Sequence, residues 1–336
     1  MINIGVIGYG YWGPNLARNF HANPELELTT ICDASADRLK LASRLYPQTR
    51  FTTDVDDLLK DSSLDAVAIA TPVFTHYPLA KKALLADKHL WLEKPMTETA
   101  EQAEELIDLA QEKQKVLLVD HTFVYTGAVR KIKELVEAGE LGDLIYYDST
   151  RVNLGLFQKD VNVIWDLAPH DISIMDHLIP LKKLRVSATG SDYYGNSIVP
   201  KSLLTVYMEN HVVAHINVSW ISPVKIRQTL IGGTAKMVVY DDNQPSDKIK
   251  IYDKGVEFDE TREALYHMKV QYRVGDMYAP KVDDREALAT LTEHFADCVL
   301  RGVHPITDGR AGLEVIKVLT ASEESLKNNG APADIN

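Results

Sequence analysis

The chain has 336 residues, 45% hydrophobic and 25% charged, with a formal net charge of −12. That length suits one large or two ordinary domains, and the acidic balance argues against bulk nucleic-acid or membrane-surface binding while leaving room for a small anionic ligand. The apolar runs are short, no basic stretch followed by an apolar one opens the chain, and Cys32 and Cys298 offer neither a disulfide framework nor metal spacing, so a reduced cytoplasmic setting without a metal is expected.

Ile2 to Ile7 reads as a short buried strand, and Gly8-Tyr9-Gly10-Tyr11-Trp12-Gly13 follows before a helical segment from Asn15 to Phe20. In G-x-G-x-x-G the first glycine permits a tight turn, the second lets backbone approach a pyrophosphate, and the third lets helix and strand pack closely. The helix N-terminus then offers free N–H groups to phosphate. A second strand, Leu26 to Ile31, leads to Asp33, whose carboxylate can accept ribose hydroxyls and would repel a 2′-phosphate; NAD is therefore favoured over NADP.

Strand and helix go on alternating. Asp65 to Ala70 is a strand closed by Thr71-Pro72, His76 to Ala86 a helix, and Lys88 to Leu92 a strand ending in Glu93-Lys94-Pro95. Thr99 to Lys113 is a helix and Val116 to Val119 a strand. Repeated units of this length predict a parallel sheet with helices on both faces, binding ligands at the carboxyl ends of its strands. Cofactor contacts are expected from Gly8 to Gly13, with Tyr9, Tyr11 and Trp12 among them, from Asp33, and from Thr71, Pro72, His76, Glu93 and Lys94. A lysine in a strand-end turn is often only a solvated surface group. Its place at the binding edge, with Pro95 restricting its backbone, favours function for Lys94.

The character changes after His121. The domains expected are 1–121, a dinucleotide-binding domain, and 122–336, an α+β domain with a large, mainly antiparallel sheet whose closing helices could pack back on the first. Gly127 to Ala138 is a helix, and Leu144 to Val152 a strand running through Arg151 and Asn153 into a polar loop with Gln158, Lys159 and Asn162. Next comes Val163-Ile164-Trp165-Asp166-Leu167-Ala168-Pro169-His170-Asp171. Asp166 and His170 are four apart and share a helix face, a pairing suited to moving a proton, though a capping Asp and a surface His would look the same. Pro169 belongs in a first turn, which sets the helix start near Trp165 or Asp166. Strands over 202–208, 212–220, 225–231 and 236–240 suggest an antiparallel meander with one face open to a second subunit, hence a homo-oligomer, dimer or tetramer. Asp259 to Asp284 reads as a polar irregular excursion, and helices from Glu286 to Arg301 and Gly309 to Lys327 close the chain.

Taken together, Gly8 to Gly13, Glu93-Lys94-Pro95, Asp166 with His170, and His304-Pro305-Ile306-Thr307-Asp308-Gly309 resemble the glucose–fructose oxidoreductase/inositol dehydrogenase (Gfo/Idh/MocA) family over essentially the whole chain. Glu286-Ala287-Leu288 departs from the family's E-P-L. The resemblance implies an NAD-dependent sugar oxidoreductase in which Lys94 and His170 meet over the nicotinamide and Asp166 orients His170. Gly-Tyr-Gly-Tyr-Trp-Gly-Pro-Asn and Arg-Val-Asn-Leu-Gly are most like the branch of nucleotide-sugar 3-dehydrogenases of polysaccharide biosynthesis. His170 would take the hydroxyl proton while Lys94 hydrogen-bonds the oxygen, or Lys94 would itself be the base. Substrate contacts are expected from Lys94, Arg151, Asn153, Gln158, Asn162, Trp165 and His170, with a strand-end surface role the alternative for Arg151. A free-polyol dehydrogenase and a non-enzymatic NAD-binding sensor are the competing functions.

Overall fold

The computed structural model describes residues 1–155, 157–158, 161–195, 197–258 and 270–336. The chain divides into two compact units, Met1–Thr126 with Arg285–Thr320, and Gly127–Asp284 with Ala321–Asn336. In the first, the chain runs β1 (Ile2–Ile7), α1 (Gly13–Ala22), β2 (Leu26–Cys32), α2 (Ala36–Leu45), β3 (Arg50–Thr52), α3 (Val55–Leu59), β4 (Ala66–Ile69), α4 (His76–Leu85), β5 (His89–Glu93), α5 (Ala100–Glu112) and β6 (Leu117–Asp120). The strands form one sheet in the order β3-β2-β1-β4-β5-β6, every pair parallel. All four residues of β4 and of β6 are buried, because a parallel sheet is covered on both faces and its strands read as unbroken apolar runs. The order reverses between β1 and β4, and a crevice at the carboxyl ends of the strands is the usual result of such a reversal.

The second unit begins with α6 (Gly127–Glu137), β7 (Leu144–Leu154) and α7 (Val163–Leu178), followed by β8 (Lys183–Gly190), β9 (Lys201–Met208), β10 (Val213–Ser219), β11 (Ile221–Gly233), β12 (Met237–Asp241), β13 (Ile249–Phe258) and β14 (Val270–Tyr278). Three expectations change here. First, α7 starts at Val163, earlier than Pro169 suggested. Asn162 caps it, its Oδ1 accepting from the N–H groups of Ile164 (2.9 Å) and Trp165 (3.3 Å), so Pro169 lies in the helix interior. Second, the sheet is not a simple meander: β7 lies between β10 and β11 and pairs parallel with β10. Register follows which side chains must face the core, not which strands are consecutive in the chain. Third, Val270–Tyr278, inside the expected irregular excursion, is a strand paired with β13 at the sheet edge. Its exposed Tyr272 and Val274 lack the inward apolar period by which a strand is recognised. The remainder of that excursion, from 259 to 269, lies outside the described residues.

The chain then returns with α8 (Ala287–Arg301), and α9 (Gly309–Lys327) runs from the first unit into the second. The expected boundary at 121 thus falls at Thr126, and Arg285–Thr320 joins the first unit. The physical reason is the apolar face of α8. Leu288, Leu291, Phe295 and Ala296 share one core with Ile4, Leu16 and Phe20, and the Trp91 ring stands edge-on to both Phe20 (5.2 Å) and Phe295 (5.6 Å). A short strand, β15 (Ala333–Asp334), pairs with β8 and completes the order β14-β13-β12-β11-β7-β10-β9-β8-β15.

Candidate functional site

The carboxyl edge of the first sheet is built around its glycines. Gly8 has φ of +98°, and a Cβ there would stand 2.4 Å from the Ala70 carbonyl oxygen; at Gly13 it would stand 2.2 Å from that of Gly8. At Gly10 the only neighbour within 4 Å would be Arg38 Nη1, at 3.7 Å. The turn and the strand–helix contact are therefore closed, while the ground above Gly10 is open, which is the space a pyrophosphate requires. Trp12 occupies the N-cap of α1 without a side-chain cap bond, so no side chain competes with a phosphate for the helix N–H groups. The residues present fit a dinucleotide.

Asp33 ends β2 and is buried. Its Oδ2 accepts from the Tyr9 N–H at 2.6 Å and its Oδ1 from the Ser35 N–H at 2.8 Å, with Arg38 Nη1 at 3.5 Å from Oδ2. The acid thus fastens the glycine turn to β2. Tyr11 is almost fully exposed.

Two of the expected cofactor contacts turn out to sit inside the fold. His76 is buried, with Nδ1 2.8 Å from the Pro95 carbonyl and Nε2 2.8 Å from that of Thr71, so it ties the turn after β4 to the cis Lys94–Pro95 turn after β5. Burial first, then the Lys94 charge, lowers its pKa and outweighs the carbonyls, which favour the charged ring. Glu93 is also buried and stands opposite Asp120 of β6; burial, and then the charge of Asp120, push its carboxyl well above the usual range. Thr71, partly buried, has its hydroxyl 2.6 Å from that of Thr75; Pro72 is exposed; Lys94 is partly buried.

Sequence reasoning missed Asp120 and His121. Asp120 accepts from Trp12 Nε1 (3.3 Å) and from the Thr122 hydroxyl, and His121 is buried beside it. The available signal was that adjacent parallel strands both end in an acid.

In the second unit, α7 carries Trp165, Asp166 and His170, each partly buried. Asp166 Oδ2 accepts from the indole N–H of buried Trp220 at 2.9 Å, which fixes the carboxylate; this positioning residue at the end of β10 was also missed, because nothing local links it to α7. Arg151, expected to contact substrate, is buried in an ion pair. Its Nε and Nη2 bind Asp171 Oδ2 and Oδ1 at 2.7 and 3.2 Å, both side chains buried. Asn162 is likewise committed, as the cap of α7 and as a donor to Glu323. Asn162→Ala is expected to cost about 1 kcal/mol of stability with the sugar KM unchanged; denaturant unfolding beside initial-rate kinetics checks both. Asn153 is partly buried and Gln158 exposed, and both remain substrate candidates. Lys159 lies outside the described residues. Among the described residues no helix is long and apolar enough to cross a membrane, and no group of three or more His, Cys, Asp or Glu could hold a metal ion.

Residues 2–121 match the oxidoreductase family with an NAD-binding Rossmann fold, and residues 129–239 match the GFO/IDH/MocA C-terminal domain. An uncharacterised oxidoreductase of Escherichia coli is 35% identical over 205 residues, 56% of each chain. The UDP-N-acetylglucosamine 3-dehydrogenase of Acidithiobacillus ferrooxidans is 34% identical over 194 residues, 55% of this chain and 57% of that one. Its solved structure superposes with a TM-score of 0.81 at 26% identity, covering 98% of this chain and 99% of that one. The NADP-dependent scyllo-inositol 2-dehydrogenase of Bacillus subtilis is 27% identical over 238 residues, 59% of this chain and 64% of that one. The sequence matches to these three thus span less than two-thirds of each relative's length. With the glycine turn, the Glu93-Lys94-Pro95 strand end and the Asp166–His170 helix in place, the chain belongs to the Gfo/Idh/MocA oxidoreductase family, with its NAD-binding Rossmann fold.

Proposed function

We propose that the protein oxidises a secondary hydroxyl, at C3, of a nucleotide-linked sugar such as a UDP-N-acetylhexosamine or its uronic acid. The observation that carries this reading is the likeness to the Acidithiobacillus UDP-N-acetylglucosamine 3-dehydrogenase along nearly the whole chain. Bound NAD supplies the hydride acceptor. His170 takes the hydroxyl proton, Asp166 holds the ring and favours its charged form, and Lys94 donates to the oxygen as negative charge builds there. Trp220 keeps Asp166 in place. Asn153, Gln158 and Trp165 are the remaining candidates for binding the sugar.

The test is nicotinamide absorbance with NAD and a panel of UDP-sugars, UDP-sugar acids, free sugars and inositols, with and without 2-oxoglutarate. Reduction with nucleotide sugars alone supports the proposal. Response to a free polyol alone overturns it in favour of the second reading, for which the Bacillus inositol dehydrogenase speaks.

Asp33 favours NAD: the Tyr9 and Ser35 N–H groups hold its carboxylate at the end of β2, where it would repel a 2′-phosphate. Asp33→Ser is expected to move the kcat/KM ratio toward NADP by about tenfold or more, since Arg38 then loses its acidic neighbour. Paired kinetics with both cofactors measure it, and an unchanged ratio sinks the assignment. The protein is further proposed to be a homo-oligomer through its larger sheet, whose Leu203, Val224 and Ile226 are exposed. Sedimentation that gives only monomer sinks that proposal.

A further inference from the structure

Three aromatic rings lead outward from Asp166 within the second unit. The first is buried Trp220, whose indole N–H holds Asp166 Oδ2 at 2.9 Å. Its ring lies 5.5 Å from that of Phe157, tilted by 52°, and Phe157 stands 5.7 Å from Tyr194 at 77°. Exposure rises along the series, from 1% at Trp220 to 40% at Phe157 and 62% at Tyr194. Neither neighbour lies flat against Phe157, so its ring face is left to solvent, and grouped aromatic surface of this kind marks a place where something binds.

Both outer rings are set on fixed backbone. The Gly155 N–H donates to the Trp220 carbonyl at 2.9 Å, and a Cβ at Gly155 would stand 3.2 Å from Trp220 Cδ1. The chain leaving β7 therefore runs flush against Trp220 just before Phe157. In the loop between β8 and β9, Asp192 Oδ1 accepts from the N–H groups of Tyr194 (3.0 Å) and Gly195 (2.8 Å), and Oδ2 from that of Ser197 (2.6 Å). That carboxylate holds the turn that carries Tyr194. A surface fixed before its ligand arrives loses little freedom on binding.

Position decides what can reach these rings. A sugar reacting at His170 and Asp166 sits at the Trp220 end of the series. Phe157 and Tyr194 are one and two ring contacts further out, where only a part of the substrate remote from the reacting carbon can lie. A free polyol has no such part. In a nucleotide sugar that part is the base, set off by a diphosphate and a ribose, and every base offers a planar π face on which an aromatic side chain can stack.

We infer that Phe157 and Tyr194 form a stacking platform for the base of the nucleotide-linked substrate, and that this platform sets the preference for a nucleotide sugar over a free one. The inference rests on the nucleotide-sugar reading above. Because stacking is tolerant of which base is present, the platform selects nucleotides as a class.

The experiment uses the full-length protein with uridine diphosphate (UDP) as the probe, comparing wild type with Tyr194→Ala, Phe157→Leu and Phe157→Trp. Saturation-transfer NMR reads contact with the uracil protons, and calorimetry in the presence of NAD reads the affinity. Saturation of the uracil protons in wild type is expected, with UDP binding about tenfold weaker in Y194A and F157L. F157W is expected to restore binding. In Y194A, whose ring meets Phe157 and not Trp220, the KM for a UDP-sugar is expected to rise by a similar factor with kcat within about threefold. Unchanged UDP affinity in both Y194A and F157L, while wild type still oxidises a UDP-sugar, overturns the platform and leaves the substrate reading standing. If wild type reduces NAD with no nucleotide sugar, the substrate reading itself falls. Loss of kcat in both variants with UDP affinity retained overturns the inference, because the rings then only brace Trp220 and Asp166. A free sugar whose KM rises in Y194A as much as that of a UDP-sugar overturns it as well, since the rings then hold the sugar.

Discussion

Lys94→Met is expected to lower kcat by about 10²–10³-fold while leaving NAD binding within a few-fold, the loss typical of one fixed donor aimed at developing charge. Lys94 leaves β5 where Pro95 ends the strand, beside the buried His76, Glu93 and His121 that its charge affects. Met keeps most of the length and apolar stem of the side chain, so the comparison removes the charge and its N–H donors with little change in packing. Stopped-flow reduction of NAD separates the chemical step from product release. A variant within threefold of wild type would remove Lys94 from the chemistry.

Arg151→Met is expected to destabilise the second unit by about 3–5 kcal/mol, because it leaves the Asp171 carboxylate buried without its cation. The guanidinium meets Asp171 through two hydrogen bonds, with 5% and 3% of the respective side chains exposed. The Tyr147 hydroxyl donates to the Asp171 carbonyl at 3.1 Å, tying β7 to the middle of α7 beside the pair. The double variant Arg151→Met with Asp171→Leu removes both charges and is expected to recover much of the loss, since an apolar pair costs no desolvation. Denaturant midpoints of the four proteins measure the coupling. An Arg151→Met protein with unchanged stability and a raised sugar KM would return Arg151 to the substrate.

These two residues mark the division between what local sequence shows and what it hides. The place of Lys94, just past the end of β5, was legible because a strand-end turn in a βα unit has one address in the fold, the carboxyl edge of the sheet. The glycine turn and Asp33 were legible for the same reason: φ above zero, close backbone approach and a strand end each demand a residue type at a fixed spacing. Arg151 was read as a substrate candidate because a guanidinium can pair with a carboxylate or phosphate, with a solvated strand-end arginine as the alternative. Its partner Asp171 lies 20 residues on, across a loop.

The sequence by itself determined the parallel dinucleotide-binding sheet, the glycine turn and the placing of Asp166 and His170 on one helix. In each, the signal is a short-range period or a backbone constraint that survives without tertiary context. Only the tertiary structure decided that Asn162 caps α7, that Trp220 holds Asp166, that β7 enters the second sheet parallel to β10, and that Glu93 faces Asp120. These depend on which distant groups share a buried space. There a polar atom must find a partner, whatever the neighbouring residues in the chain would favour.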